Sequence, residues 1–548
     1  MHAPAIPALD PARPTPLSAA RRRPSSVRRA ARASALPRLV VCACAVGLAL
    51  AGCGGGEPTT DGVAPVDAGG AASKEANERV GAAPVARNLL LISIDTLRTD
   101  ALGAYGGTRK ATPNLDLFAG QAVVFESAWT HTPKTAPAHM SMFTSLPPRV
   151  HGVGNLNTLG AQRLSASIHT LPEILEDAGF RTAGFTGGGN AKGSLGFDRG
   201  FQTFDDMGES LDHKLVKVEP WLKQAEASGQ PWFCFLHTYQ VHDPYLPPGD
   251  YIERFVKPGY DGKILSSRAA IRSAIDSGDD LAPDLKGNEK ITWNYWFRVD
   301  ESSEQDMAHL HDLYTAGVAH MDALLGAFLK RLIAAGVADD TIIVITSDHG
   351  EEFGEHGQVR HDQLYVELAH VPMLVMFPGR AHAGMRIEAP IRHIDLLPSL
   401  LELLAVEDSG ELRLGRSWVD WIEAGASTET EIRSVLGEHR SGRDRPLDIF
   451  TLREGPLTLY DQRGEIALYD RRQDPGEVVP QKRPVVTERL ESLLRSQQAQ
   501  LDVLSTSVGS GTAIEMSDEM RRELEALGYL SVDEDALRGA GASDEDGR

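Results

Sequence analysis

Two acids and an imidazole stand at the ends of two apolar runs that lie far apart in the chain. Asn88-Leu89-Leu90-Leu91-Ile92-Ser93-Ile94 leads into Asp95, and Thr341-Ile342-Ile343-Val344-Ile345-Thr346-Ser347 leads into Asp348-His349-Gly350. Near-continuous β-branched and leucine runs of this kind read as strands buried on both faces of a parallel sheet. Ligands of open α/β sheets sit beyond the carboxyl ends of the strands, so Asp95, Asp348 and His349 are expected to meet there. Two carboxylates and an imidazole make a donor set for a divalent metal ion. The spacing predicts a metalloenzyme.

Between the two runs lies Thr135-Ala136-Pro137-Ala138-His139-Met140-Ser141-Met142-Phe143. Thr135 can cap a helix whose first turn tolerates proline. A hydroxyl there faces the positive end of the helix dipole, and free backbone N–H groups can hold an anion. A metal bound to the same oxygen would turn it into a nucleophile. Taken alone, the segment fits a plain N-cap threonine better.

The surrounding elements alternate between strand and helix. Leu171–Ala178 has helical periodicity and stops at Gly179; Arg181–Thr186, Trp232–His237 and His370–Phe377 read as strands. A long amphipathic stretch from about Glu304 to Ala335 precedes the Thr341 strand. This is the pattern of an α/β protein, a three-layer αβα sandwich around a mostly parallel central sheet. Residues 258 to about 303 show no strong period and read as an insertion over the site or the surface. From about Ser434 to Asp470 the texture changes to short strands with turns such as Arg463-Gly464, predicting a small C-terminal antiparallel subdomain.

The ends carry other information. A basic segment from Arg21 to Arg38 is followed by a short apolar run from Leu39 to Ala51 and by Leu50-Ala51-Gly52-Cys53. That is the pattern of a secretory signal peptide, and its last four residues resemble the lipobox of bacterial lipoproteins. The resemblance implies acylation of Cys53 and a lipid-anchored protein on the periplasmic face of a bacterial envelope. An uncleaved anchor or an ordinary signal peptide is the alternative. Residues 54–86, rich in Gly, Ala, Pro and Thr, read as a flexible tether. The expected domains are then a leader at 1–53, the tether at 54–86, a catalytic domain at 87–430, a small subdomain at 431–505, and a helix with an acidic disordered tail at 506–548. With Cys53 acylated, Cys234 is the remaining thiol, expected in the core. Residues 1–52 hold eight arginines against the single acid Asp10, so a formal charge of −21 for the whole chain leaves −28 on the remainder. Such acidity argues against a nucleic-acid surface, and nothing in the sequence speaks to oligomeric state.

Several blocks together carry a family resemblance. They are Asp95-Thr-Leu-Arg-Thr-Asp100 with Tyr105-Gly106 and Thr112-Pro-Asn-Leu-Asp116, then Thr135-Ala-Pro-Ala-His139 with Pro148-Arg-Val-His-Gly152. His242-Asp-Pro-Tyr245, Ser347-Asp-His-Gly350, Ile394-Asp-Leu-Leu-Pro398, and Leu468-Tyr-Asp470 with Asp474-Pro-Gly-Glu477 follow in order. From about Asn88 to Glu477 the chain resembles the sulfatases of the alkaline phosphatase superfamily. The resemblance implies that Asp95, Asp348, His349 and Thr135 hold the metal and that Thr135 is the nucleophile. It implies that His242 binds the substrate anion and protonates the leaving oxygen. His139 stands where many sulfatases have arginine, and Asn190 stands near a lysine-bearing segment. His361 is a candidate for the anion or for a second metal, and His356 reads as orienting its neighbours.

The departures from the family pattern bear on the chemistry. Sulfatases carry Cys or Ser at the nucleophile position, oxidised to formylglycine; Thr135 cannot give that aldehyde. Thr96 replaces an acid, and His349 replaces the usual asparagine. An imidazole ligand favours Zn²⁺ or Mn²⁺, with Ca²⁺ or Mg²⁺ as alternatives. The expected function is metal-dependent hydrolysis of sulfate or phosphate mono- or diesters. The alternative is transfer of a phospho-alcohol head group onto an envelope lipid or glycan. A third reading, a non-catalytic binding protein, would be supported by Glu, Lys or an aliphatic residue at 95, 135 or 348. All three positions retain competent side chains.

Overall fold

The structure, a computed structural model, describes residues 86–513 apart from 157–160, 209, 409–411, 425–433 and 442–446. The leader, Cys53, nearly all of the tether and most of the helix and tail expected over 506–548 lie outside the described residues. Among the described residues no helix is long and apolar enough to cross a membrane.

Eight strands form the central sheet. They are β1 (Asn88–Ile94), β2 (Val123–Phe125), β3 (Arg181–Phe185), β4 (Thr203–Asp205), β5 (Trp232–Thr238), β6 (Thr341–Thr346), β7 (Met373–Met376) and β8 (Arg386–Ile387). Their order is β8-β2-β7-β6-β1-β5-β3-β4. β1 lies at the centre, parallel to β5 on one side and to β6 on the other, with Leu91 opposite Phe235 and Val344. β7 alone runs antiparallel to both of its neighbours. The apolar runs are buried on both faces, as their composition predicts. Leu90, Ile92 and Ile94 face one core, and Leu89 and Leu91 face the other with Met140 and Phe143.

The helices that matter to the site are α1 (Thr135–Thr144), α2 (Leu171–Asp177), α3 (Leu211–Ser228), α4 (Arg268–Asp276), α5 (Gly287–Trp296) and α6 (Glu304–Ala334). α2 begins with a reciprocal capping box between Thr170 and Glu173, and Ser303 caps α6 by accepting the Asp306 N–H. Every residue of α1 is buried. Its cap position is Lys134, so Thr135 is the first helical residue and not the cap that the sequence suggests.

Two stretches differ from the sequence reading. The expected strand over His370–Phe377 is broken at Pro372, which has no N–H for a ladder. His370–Val371 pairs instead with Ala128–Trp129 in a separate small sheet. Residues 258–303 contain α4 and α5. All six residues from Ile291 to Trp296 are buried, so the second half of α5 has no polar stripe to produce a period.

The C-terminal part is a four-stranded antiparallel sheet of β9 (Val435–Ser441), β10 (Leu447–Glu454), β11 (Leu457–Gln462) and β12 (Glu465–Asp470). Arg463 and Gly464 both have positive φ in the tight turn between β11 and β12, which suits a two-residue hairpin. The helix α7 (Pro484–Ser507) covers one face through Leu490 and Leu494, and it ends two residues beyond the expected boundary at 505.

Buried histidines make this fold sensitive to acid. His151 accepts the Val153 N–H at Nδ1 and donates from Nε2 to the Pro137 carbonyl. Burial lowers its pKa from 6.5 to about 3. Because the folded value lies below the unfolded one, its contribution to stability is complete above pH 6.5 and is lost as pH falls toward 3. Below pH 6.5 this residue is expected to cost up to about 1 kcal/mol of stability per pH unit. Denaturant melts between about pH 7 and 5 should show a shallower decline for His151→Gln; equal slopes would clear His151 of the effect.

Candidate active site

The carboxyl ends of β5, β1 and β6 lie side by side, and the residues just beyond them converge. Asp95 follows β1, with its N–H on the Thr238 carbonyl at the end of β5 at 3.0 Å. Asp348 and His349 follow β6. One ligating atom from each of Asp95, Asp348 and His349 lies within 4.8 Å of the others, and all three residues are fully buried. Asp95 Oδ1, Asp348 Oδ2 and His349 Nε2 have no hydrogen-bond partner among the described residues. The remaining atoms are held in place. Asp348 Oδ1 accepts the N–H groups of Thr96 (3.3 Å) and His349 (2.9 Å), and His349 Nδ1 donates to the Gly350 carbonyl at 3.0 Å.

Two carboxylates facing one another in a dry site need a compensating charge. Burial pushes Asp95 up to about 6 against the pull of His242, and burial with the Asp95 charge raises Asp348 well above the usual carboxylate range. Burial keeps the His349 imidazole neutral, the form that can act as a ligand. Three orphaned donor atoms of this chemistry fit a divalent cation.

Thr135 meets this group from the other side. Its side chain stands near enough to the Asp95 carboxyl to oppose the rise in that group's pKa, and the neighbouring Ala136 N–H is held by Asn155 Oδ1 at 2.9 Å. Lys134 points to the same region, where Nζ pairs with Asp362 Oδ1 at 2.6 Å. His439 of β9 stands 3.6 Å from that same oxygen.

His242, Asp243 and His361 form a second buried cluster, in which one ligating atom from each lies within 4.8 Å of the others. His242 Nδ1 donates to Asp243, 2.9 Å from its carbonyl and 3.0 Å from Oδ1. Trp296 of α5 donates to Asp243 Oδ2 at 2.7 Å, so the weakly patterned insertion does reach the site. Burial favours a neutral His242, but Asp243, Asp95 and Glu351 outweigh it and raise the pKa, favouring imidazolium. His361 Nδ1 faces Glu351 Oε1 at 3.1 Å, and its ring lies 4.8 Å from His349 and 5.2 Å from His242. A cavity of about 710 Å³ opens at His242, lined also by Gly187, Gly189, Tyr239 and Tyr245.

His139 and Asn190 have different surroundings. His139 lies one turn along α1, where Nδ1 donates to the Thr135 carbonyl and Nε2 accepts from Ser93, both at 2.8 Å. Both nitrogens are engaged and the ring is fully buried, so it braces the start of α1 without opening to the cavity. Asn190 Oδ1 accepts the Leu156 N–H at 2.9 Å, while its buried Nδ2 has no partner among the described residues. His356 pairs with Glu367 and stacks on Tyr365.

The sulfatase family model matches residues 87–406, more than half of the chain. The chain belongs to the sulfatase family. It is 25% identical to the arylsulfatase of Clostridium perfringens over 454 residues, spanning 71% of this chain and 89% of that one. It is 22% identical to the N-acetylglucosamine-6-O-sulfatase of Bacteroides thetaiotaomicron, spanning 71% and 82%. Among solved structures, BT4656 in complex with its substrate D-glucosamine-2-N,6-O-disulfate superposes with a TM-score of 0.60 at 20% identity, covering 76% of this chain and 98% of that one. A phosphonate monoester hydrolase of Agrobacterium radiobacter gives 0.57 at 19% identity, covering 79% and 98%. These likenesses establish the expected fold. As a sulfatase, the protein is a hydrolase acting on ester bonds.

His237 is a site residue of this sulfatase that sequence reasoning missed. Its Nδ1 accepts the Gly187 N–H at 3.2 Å, which leaves the proton on Nε2 to donate to Asp95 Oδ2, also at 3.2 Å. The tautomer fixed by one bond thus orients the carboxylate through the other. Its position at the end of β5, next to β1, is the signal that could have found it. His237→Ala is expected to weaken binding of a divalent cation by about 10–100-fold. His237→Gln, which keeps an N–H donor, should restore part of it. Calorimetric titration with Mn²⁺ checks this, and equal affinities would remove His237 from the site.

Proposed function

We propose that this sulfatase hydrolyses phosphate or sulfate esters by covalent catalysis at Thr135, with phosphorus centres preferred. The observation that carries the reading is that buried Thr135 opens α1 near Asp95, whose Oδ1 is left without a partner among the described residues, together with Asp348 Oδ2 and His349 Nε2. Asp95, Asp348, His349 and Thr135 would hold a divalent cation. When bound, it supplies positive charge that lowers the hydroxyl pKa and draws in the anionic ester. One imidazole among the ligands favours Zn²⁺ or Mn²⁺ over Ca²⁺.

Thr135 Oγ1 forms a bond to phosphorus or sulfur as the bond to the ester oxygen breaks, and its proton passes to the Asp95 carboxylate. The His242 imidazolium gives its proton to the departing oxygen. The Lys134 ammonium and the amide end of α1 favour the negative charge of the transferring group. Neutral His242 then takes a proton from water, whose oxygen displaces the group from Thr135; the proton on Asp95 returns to Oγ1. A threonyl sulfate has no aldehyde-derived route of elimination, which is why phosphorus is preferred.

Aryl phosphate, phosphodiester and sulfate panels with the Mn²⁺- or Zn²⁺-loaded protein test this reading. Thr135→Ala is expected to reduce turnover by at least about 10³-fold, and unchanged turnover would end the nucleophile assignment. His242→Ala should cost about 10²–10⁴-fold with poor leaving groups and far less with good ones. A uniform loss would assign His242 a binding role alone.

We also propose that the protein is anchored to the bacterial envelope through an acylated Cys53, a reading supported by Leu50-Ala51-Gly52-Cys53 behind a basic and apolar leader. Metabolic labelling with a fatty acid should mark the wild type and not Cys53→Ser, which should leave the membrane fraction. Label retained by the variant would overturn the anchor.

A further inference from the structure

The reaction described above makes no use of Glu352. Its side chain is fully buried, and neither carboxylate oxygen has a hydrogen-bond partner among the described residues. The neighbouring guanidinium of Arg98 does not serve it, because that group binds Asp100, Glu355 and the Glu351 carbonyl. Burial, with Glu367 and Glu355 nearby, pushes the Glu352 carboxyl up to about 9. A carboxyl group in this setting calls for a compensating cation or a proton.

Two ligating side chains stand beside it. One donor atom from each of Glu352, His356 and Glu367 lies within 4.8 Å of the others. Ligands about 2.0–2.2 Å from a transition-metal ion lie up to about 4.4 Å apart, so small side-chain adjustments complete such a shell. His356 is already oriented, since Nε2 faces Glu367 Oε2 at 3.2 Å and its ring stacks on Tyr365 at 3.6 Å. Glu367 also lines an open cavity of about 480 Å³ with Arg98, Asp100 and Glu126, which gives an ion a way in.

We propose that Glu352, His356 and Glu367 form a binding site for a divalent transition-metal ion, separate from the group at Asp95, Asp348 and His349. Two carboxylates with an imidazole suit Zn²⁺ or Mn²⁺. The ion replaces the proton shared by His356 and Glu367 and neutralises Glu352. Its ligands come from the short hairpin of Glu352–Phe353 and Val359–Arg360, from the turn of that hairpin, and from the helical turn Val366–Ala369. His361 directly follows the hairpin, and Gly350 is tied by its N–H to the Leu368 carbonyl at 2.9 Å. The ion would thus clamp the segment that follows His349.

Metal analysis of the full-length protein, loaded with Zn²⁺ and desalted, tests the site. The variant combining Glu352→Gln and Glu367→Gln is expected to hold one equivalent less than the parent. A variant combining Asp348→Asn and His349→Ala should keep the equivalent that the first variant loses, so failure of the catalytic reading is visible separately. Equal metal content in the parent and the Glu352→Gln, Glu367→Gln variant would overturn the proposal. Anomalous diffraction from Zn²⁺-soaked crystals of the parent chain gives an answer independent of variant folding. A peak among the three side chains supports the site, and its absence overturns it.

Discussion

Mutual repulsion between Asp95 and Asp348 is the constraint around which the site is organised. Both carboxylates are fully buried, and in a medium of low dielectric two such anions cannot stand together without a neutralising partner. The surroundings do not relieve the repulsion; they aim it. Oδ2 of Asp95 is engaged by His237 and Oδ1 of Asp348 by two backbone amides, leaving one oxygen on each acid directed at a common point. Folding the chain therefore creates a demand for positive charge at one place, beside a hydroxyl.

The sheet makes that placement rigid. β1 is hydrogen-bonded on both sides, with parallel neighbours on each, and both of its faces are covered by close-packed apolar side chains. Movement of Asp95 relative to Asp348 would require slipping a central strand, which would disrupt two ladders and two cores together. The helix bearing Thr135 is similarly confined, because all ten of its residues are buried and His139 ties its first turn to Ser93 on β1. Hydroxyl and acids thus belong to one packed unit.

What the sequence made legible follows from local physics. Uninterrupted Leu, Ile and Val runs announce buried strands, and acids at their carboxyl ends announce a site, so Asp95, Asp348 and His349 could be read directly. Thr135 was singled out by the family resemblance, because its own segment reads at least as well as a plain helix cap. Asn155 and Trp296 could not, since each acts through a contact that only the assembled sheet and insertion create, whereas His237 was marked by its place at the end of a strand and was passed over. Lys134 lay in plain view, yet its role depends on Asp362, more than 200 residues away. α5 was hidden for the opposite reason: burial of every residue in its second half erases the polar stripe by which a surface helix is read. The break at Pro372 was legible in principle, because proline marks where a ladder must end.

The small C-terminal sheet packs on this arrangement through several residues, Glu438, Arg453 and Tyr460 among them, and one of its histidines stands near the start of α1. His439, on β9, adjoins the Asp362 carboxylate that grips Lys134, the residue immediately before Thr135. The appended module and the first turn of α1 are consequently two ends of one short relay of charge. Drift in how that module docks would be transmitted to the electrostatics of the first helical turn, so reshaping the sheet would alter the charge that the site presents.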